Sequence, residues 1–250
     1  FQSDKLAIHV RALNAQPEIR FFHTDFFVLD DQAGVKLFSG INPATYIPPV
    51  ESQLLRFFQY NYINGITIAV HRSVMEAVGG FNPSLRHGQD YEMWLRISAR
   101  YRSAFLPARG SVTRVYPTQA SLVHTEVGIL DSARAAVAFL NARPFAALFP
   151  ALDLTEPDAI GRAVRETLNV ASQPEAFINQ AGFGQALIRR LLEWMTQTCP
   201  RRWRAQLIEQ YNTVAQSIQR APVTTEVKRA FVSLRPTQVI RYEAVDPLTD

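Results

Sequence analysis

The stretch VMEAVGGFNPSLRHGQDYEMWLR, residues 74–96, contains the strongest local signals in the chain. A short helical segment stops at Gly79-Gly80, an Asn-Pro turn follows, and a second amphipathic helix starts at Asp90 and carries Trp94. A carboxylate at the start of a helix can cap its backbone N–H groups, or it can take part in chemistry. The interpretation of the whole chain depends on which of these Asp90 does.

The residues before and just after this stretch have the composition of a sheet with connecting loops. Leu6, Val10 and Leu13 recur at helical spacing near the start of the chain. Aromatic and β-branched residues then predict strands at residues 20–29, 35–38, 64–71, 103–106 and 111–116. Helices are predicted at residues 51–60, at 74–79 and from Asp90 to residue 102, with a turn at 30–34 and an irregular loop at 39–50.

The sequence pattern changes near residue 128, from alternating strand and helix signals to helical signals. Four helical patterns follow, at residues 131–140, 155–168, 183–195 and 201–219, and a short strand is predicted at residues 238–242. The expected fold is therefore α/β, with a mixed sheet and flanking helices in residues 1–128 and an all-helical region in residues 129–250. No internal repeat or low-complexity run interrupts this plan.

Composition limits the class of protein. The chain has 250 residues, of which 47% are hydrophobic and 19% are charged, so it can bury a sizeable core. The net charge of +4 is too small an excess to indicate a nucleic-acid partner. A single cysteine, Cys199, excludes an internal disulfide framework and favours a reducing, cytoplasmic location. There is no run of about 18 apolar residues and no secretory signal pattern.

Several common chemistries are excluded by their motifs. The chain has no phosphate-binding G-x-x-x-x-G-K-[ST] loop, no G-x-G-x-x-G after a strand, no H-E-x-x-H and no G-x-S-x-G. Basic residues at 189–190 and 201–204 lie in helical patterns with Trp194 and Trp203. These residues form either a surface for anionic partners, including a peripheral membrane contact, or ordinary solvated helix faces.

Three blocks carry a family resemblance: SDKLAIHVRALNAQPEIRFFHTDFFVLDDQAG (residues 3–34), NGITIAVHRSVMEAVGGFNPSLRHGQDYEMWLR (residues 64–96) and RVYPTQASLVH (residues 114–124). In this order and spacing they resemble the second half of a family 2 glycosyltransferase domain of the GT-A type. The middle block is the most specific. The resemblance covers about the first half of the chain, and residues 130–250 show none.

The resemblance implies a partial GT-A-like sheet and transfer of a sugar from a nucleotide-sugar donor to a hydroxyl acceptor, with inversion. The acceptor class stays open between a glycan, a lipid-linked molecule and a protein hydroxyl; polysaccharide biosynthesis is the expected setting. In the family, an acidic Asp-x-Asp cluster binds Mg²⁺ or Mn²⁺ on the donor diphosphate, just ahead of a segment like SDKL. The chain begins at Phe1, so we expect the metal ligands and the nucleotide pocket upstream, and we expect this fragment alone to be inactive.

Asp90 falls where the resemblance places an acceptor-side carboxylate. Inverting transfer needs a base to take the proton of the attacking hydroxyl, and a positioned carboxylate supplies it. The alternative is that Asp90 only caps its helix. The family pattern is Glu-Asp, whereas this chain has Gln89-Asp90, so one charge of the pair is missing.

Further substrate-binding candidates flank Asp90 in the resemblance. His87 is expected to bind acceptor or phosphate or to orient Asp90, with a purely structural role as the alternative. Gly65 and Asn64 occupy the entrance of the acceptor-side strand, where a glycine permits a sugar to approach the backbone. Trp94 is a candidate for substrate contact or for the core. Arg96 is expected to pair with an acid and hold its helix, and Asp25 is expected near the cleft or in a structural polar role.

A non-enzymatic interpretation competes with this one. In it, residues 130–250 are a helical interaction module and the first half is a scaffold without turnover. The residues that precede Phe1 discriminate between the two interpretations, because an Asp-x-Asp cluster at the end of an apolar strand supports the enzyme.

Overall fold

The computed structural model describes residues 1–30, 35–38, 48–172 and 183–203, together with residues 205, 208 and 212. The described chain is a mixed α/β structure, as predicted. Its first elements are α1 (Lys5–Ala15), β1 (Phe21–Asp30), β2 (Val35–Phe38), a 3₁₀ turn (Val50–Ser52), α2 (Gln53–Arg56), a second 3₁₀ turn (Gly65–Thr67) and β3 (Ile68–Val70). They are followed by α3 (Arg72–Val78), α4 (Gln89–Ser98), β4 (Ser103–Val115), α5 (Ala120–Val123), α6 (Thr125–Asn141), a third 3₁₀ turn (Phe145–Leu148), α7 (Pro157–Ser172) and α8 (Phe183–Gln197).

Strand β1 is the centre of the described sheet. It pairs in parallel with β4 along its whole length, and antiparallel with β3 and β2. Phe21 pairs with Val70 of β3 and with Ser103 of β4, so these two strands lie on opposite edges of β1. The prediction of two strands at residues 103–106 and 111–116 was wrong, because β4 is one strand whose register shifts opposite Thr24 and Asp25.

Two other predicted elements differ in extent. The strand expected at residues 64–71 is only three residues long, and a 3₁₀ turn precedes it. The Asn64 side chain accepts a hydrogen bond from the Ile66 N–H at 3.2 Å, and this local bond favours a turn over a strand ladder. The helix expected at residues 51–60 is reduced to one 3₁₀ turn and the four residues of α2.

The two predicted regions share one hydrophobic core. Phe21 of β1 packs on Trp94 of α4 with ring centroids 5.2 Å apart, and Phe58 meets Phe139 of α6 at 6.2 Å. The same cluster of buried residues continues into α7 and α8. The predicted boundary near residue 128 lies inside α6. Helix α6 therefore joins the sheet-containing part to the later helices.

Helix α1 buries a different face from the one that its apolar residues predict. Its buried face consists of Lys5, His9 and Ala12. The apolar side chains that were used to predict this helix are exposed to solvent: Leu6 is 77% exposed, Val10 56% and Leu13 40%. The period was predicted correctly, but the buried face carries an amine and an imidazole.

The buried histidine of β1 predicts a pH-dependent stability. His23 lies between the rings of Tyr62 and Phe105, and burial lowers its pKa from 6.5 to about 4. A depressed histidine pKa contributes stability that is present above pH 6.5 and is lost as the pH falls toward 4, because the unfolded chain takes up the proton first. Between those values the free energy of unfolding should fall by about 3 kcal/mol from this group.

Urea denaturation of the wild type and of His23→Gln at a series of pH values measures this contribution. The other titrating groups are common to both proteins, so the difference between the two curves isolates His23. Parallel curves from about pH 7 to about pH 4 would contradict the assignment.

Some predicted elements lie outside the described residues. They are the turn at 31–34, most of the loop at 39–50, the greater part of the helix at 201–219 and the strand at 238–242. Within the described part of the chain, no helix combines the length and apolar character needed to cross a membrane.

Candidate functional site

Asp90 lies in the first turn of α4 but is not its N-cap. The helix starts at Gln89, and Gly88 holds the N-cap position with a φ of +68°. One Asp90 carboxylate oxygen, Oδ1, accepts a hydrogen bond from the Tyr91 N–H at 2.7 Å. The structure supports the capping alternative in part, because Asp90 accepts a hydrogen bond from an N–H of the first turn, but it does so from inside the turn and not from the N-cap position.

The other carboxylate oxygen of Asp90 faces the turn that contains Gly65. A Cβ atom built on Gly65 would lie 3.6 Å from Asp90 Oδ2 and 3.9 Å from Asp90 Cβ. The structure thus brings together two of the predicted site residues that are far apart in the sequence. Both distances are ordinary van der Waals contacts, so Gly65 lies directly beside the Asp90 side chain.

Burial raises the pKa of Asp90 above its usual value of 3.8, and the hydrogen bond from the Tyr91 N–H acts in the opposite direction. Desolvation disfavours the charged carboxylate, and this outweighs the stabilisation that an N–H donor gives to the anion. A carboxylate with a raised pKa is a stronger base once ionised. The raised pKa therefore makes Asp90 a better proton acceptor than an exposed aspartate.

His87 connects the loop before α4 to helix α6. Its Nδ1 atom is 3.7 Å from Asp131 Oδ2, and its ring lies 5.2 Å from the ring of His124. Asp131 also pairs with Arg134 at 3.3 Å. These contacts support the structural alternative for His87, in which it packs the loop before α4 against α6, although its Nδ1 makes no hydrogen bond among the described residues.

Gly88 also lies against α6, beside Ser132. A Cβ atom on Gly88 would lie 2.5 Å from Ser132 Oγ and 3.4 Å from Ser132 Cα. Alanine at residue 88 therefore meets both a steric overlap and the cost of a positive φ, about 1–2 kcal/mol. The matched control is Gly79→Ala at the end of α3, where φ is +82° but no heavy atom of the described residues lies within 4 Å of the Cβ position.

We expect Gly88→Ala to lower the free energy of unfolding by more than Gly79→Ala, and the excess measures the contact with α6. Thermal melts of both variants give the comparison. Equal losses would mean that Ser132 moves aside without cost.

The remaining site candidates have structural partners. Gln89 Nε2 donates to the Arg86 carbonyl at 2.6 Å, and Asn64 caps the 3₁₀ turn that holds Gly65. Trp94 is fully buried in the core against Phe21, so its candidacy for substrate contact was wrong. Burial of this large ring at an inward-facing helix position removes much apolar surface from water.

Arg96 pairs with an acid, as predicted, and it also links two helices, which was not predicted. Its guanidinium makes two bonds of 2.7 Å to Glu92, one turn earlier in α4. It also donates to the carbonyls of Val78 and Gly80 at the end of α3. This buried bidentate pair fixes the Gly79-Gly80 stop against the helix that begins beside Asp90.

Asp25 is also engaged structurally. It is 5% exposed, and its Oδ2 lies 3.0 Å from Nε of Arg109 at the register shift between β1 and β4. Of the basic helix residues, Arg190 donates to the carbonyls of Leu140 and Arg143 and pairs with Glu193. Both contacts support the ordinary, structural interpretation of these charges.

No group of three or more His, Cys, Asp or Glu side chains in the described residues is placed to hold a metal ion. The described residues therefore do not themselves form a site for the Mg²⁺ or Mn²⁺ that the resemblance implies. No protein-family model, curated protein or solved structure matches this chain.

Sequence reasoning did not single out Lys5, which lies close to this site. Its Nζ atom donates to the Ile66 carbonyl at 2.5 Å, in the same turn as Gly65. A lysine beside an apolar helical stripe is expected to face solvent, so the pattern contained no signal of its burial.

Proposed function

We propose that this chain is the acceptor-side part of an inverting glycosyltransferase with a GT-A-like catalytic domain, and that Asp90 is its general base. The observation that supports the proposal most directly is the placement of the Asp90 carboxylate. It lies at a helix start, it faces a glycine, and its pKa is raised by burial. The mixed sheet, with β4 parallel to β1, is compatible with part of a GT-A-like sheet.

In the proposed reaction, a hydroxyl of the acceptor approaches the Asp90 carboxylate. The ionised carboxylate of Asp90 takes the hydroxyl proton while the oxygen attacks the anomeric carbon of the donor sugar. A new glycosidic C–O bond forms, the bond from the anomeric carbon to the nucleoside diphosphate breaks, and the anomeric configuration inverts. Proton transfer to a positioned base contributes about 100- to 10,000-fold to such a rate.

The described residues supply the base and its surroundings, not the donor site. We propose that the nucleotide-sugar and its divalent metal bind to residues that precede Phe1. The metal would stabilise the leaving diphosphate.

A donor screen on the protein with its preceding residues tests the proposal. Release of nucleoside diphosphate from one nucleotide-sugar, dependent on an added hydroxyl acceptor, is the expected result. The chain that starts at Phe1 is the matched control and should release none. Sugar transfer by that control would contradict a donor site upstream. Absence of release from every donor would favour a scaffold without turnover.

A further inference from the structure

The buried amine of Lys5 is the least expected group near the candidate site. Lys5 is 7% exposed, although it belongs to a helix whose leucines face solvent. Burial lowers the pKa of its ammonium group. Burying a lysine is costly unless its donors are used, so the contact that it makes needs a structural explanation.

The Lys5 amine lies over the ring of Phe1, 3.9 Å from its centroid, and it also contacts the turn opposite Asp90. The carbonyl of Ile66 accepts a hydrogen bond from Lys5 Nζ at 2.5 Å and a second from Ser111 Oγ of β4 at 2.7 Å. Two donors from different elements on one carbonyl oxygen fix the peptide plane between Ile66 and Thr67, one residue after Gly65. Helix α1 and strand β4 are thereby both attached to this turn.

The rest of the turn is held in the same manner. Thr67 Oγ1 donates to the Asn64 carbonyl at 2.7 Å, and Thr24 Oγ1 of β1 donates to the Thr67 carbonyl at 3.4 Å. A Cβ atom on Gly110 would lie 3.1 Å from Lys5 Cγ and 3.5 Å from Thr24 Oγ1, so the lysine stem fills the space at the β4 irregularity. Side chains of α1, β1 and β4 thus hold the turn on one side, and Gly65 lies beside Asp90 on the other.

We propose that Lys5 is a positioning residue for Asp90: its amine holds the Ile66 carbonyl so that Gly65 stays beside the Asp90 carboxylate and shields that side of it from water. The importance of this for catalysis rests on the proposed function, whereas the effect on the carboxylate does not. Desolvation is the main cause of the raised Asp90 pKa. Lys5 therefore acts on Asp90 through the turn, whose position controls how much water reaches the carboxylate.

Other charged groups surround Lys5, and the experiment has to separate their effects. His9 lies one turn further along α1, and its pKa is lowered by burial and by the charge of Lys5. Asp25 and Arg109 pair at the same irregularity between β1 and β4. A change in the charge at Lys5 is therefore matched by a control that removes a positive charge from the exposed side of the same helix.

The test is a ¹³C NMR titration of the Asp90 carboxyl group in the 250-residue chain, with the resonance identified by its loss in Asp90→Asn. In Lys5→Met the turn is released, and the pKa of Asp90 should fall toward its ordinary value as water reaches the carboxylate. Ser111→Ala removes the second donor and should shift it in the same direction by less. Arg11→Met, on the exposed face of α1, should leave the titration unchanged.

An unchanged Asp90 titration in both Lys5→Met and Ser111→Ala would overturn the proposal, and if Lys5→Met does not fold, Ser111→Ala decides alone. An equal fall of the Asp90 pKa in Arg11→Met would also overturn it, since the effect would then not depend on the contact with the turn. Loss of the Lys5 charge by itself would raise the Asp90 pKa, which is opposite to the expected fall. In the longer protein, turnover in Lys5→Met should fall about 10- to 100-fold with little change in KM. A shifted titration together with full turnover by Asp90→Asn would leave the positioning role intact and refute the proposed function.

Discussion

Replacing Asp90 by asparagine should lower turnover of the proposed full-length enzyme by about 100- to 10,000-fold. Asparagine is nearly isosteric with aspartate but cannot take the acceptor proton, so the loss should appear in kcat. Initial rates of nucleoside diphosphate release measure it. The matched control is Asp4→Asn, which changes an exposed aspartate at the start of another helix, α1, and should leave turnover unchanged.

The same substitution should not weaken the fold at neutral pH. A carboxyl group whose pKa is raised by folding contributes stability that is present below its unfolded pKa and is lost as the pH rises through the folded value. The asparagine variant would have no such loss, so its stability relative to the wild type should increase between about pH 4 and pH 7. Full turnover in a folded Asp90→Asn protein would remove Asp90 from the base role.

Replacing Arg96 by methionine should lower the free energy of unfolding by about 3–5 kcal/mol. The substitution leaves Glu92, which is 1% exposed, as a buried carboxylate without its main partner. It also releases the carbonyls of Val78 and Gly80 at the end of α3. Arg96→Lys should recover only part of the loss, because an ammonium group cannot reproduce the bidentate geometry. Chemical denaturation of the wild type and the two variants measures these differences.

Two controls separate the buried pair from a simple loss of charge. Arg72→Met removes the exposed i,i+4 pair with Glu76, whose side chains are 90% and 61% exposed, and should cost no more than about 0.5 kcal/mol. The double variant Arg96→Met/Glu92→Met should be more stable than Arg96→Met alone, since it no longer buries a lone charge. A loss in Arg96→Met no larger than that in Arg72→Met would show that the buried pair does not hold the two helices.

The local stretch around Asp90 was predictable because short-range rules govern it. The Gly79-Gly80 stop and the amphipathic helix follow from backbone freedom at glycine and from periodicity, and both are present. The pairing of Arg96 with an acid was also predicted, since residues one turn apart meet on a helix. Polar capping chemistry was harder to predict: Asn64 makes a turn where a strand was expected, and Gly88 precedes the helix in place of Asp90.

The candidate site depends both on local sequence rules and on contacts between distant parts of the chain. The sequence determined where the helices and most strands lie, because glycine conformation, side-chain volume and apolar periodicity act over a few residues. Only the tertiary structure decided which face of α1 turns inward: the amine of Lys5 binds the Ile66 carbonyl and Ala12 packs with Ile19 and Phe22, while Leu6 and Val10 face solvent. Periodicity fixes the spacing of a face but not the partner that selects it, and that partner lies 61 residues away in the sequence.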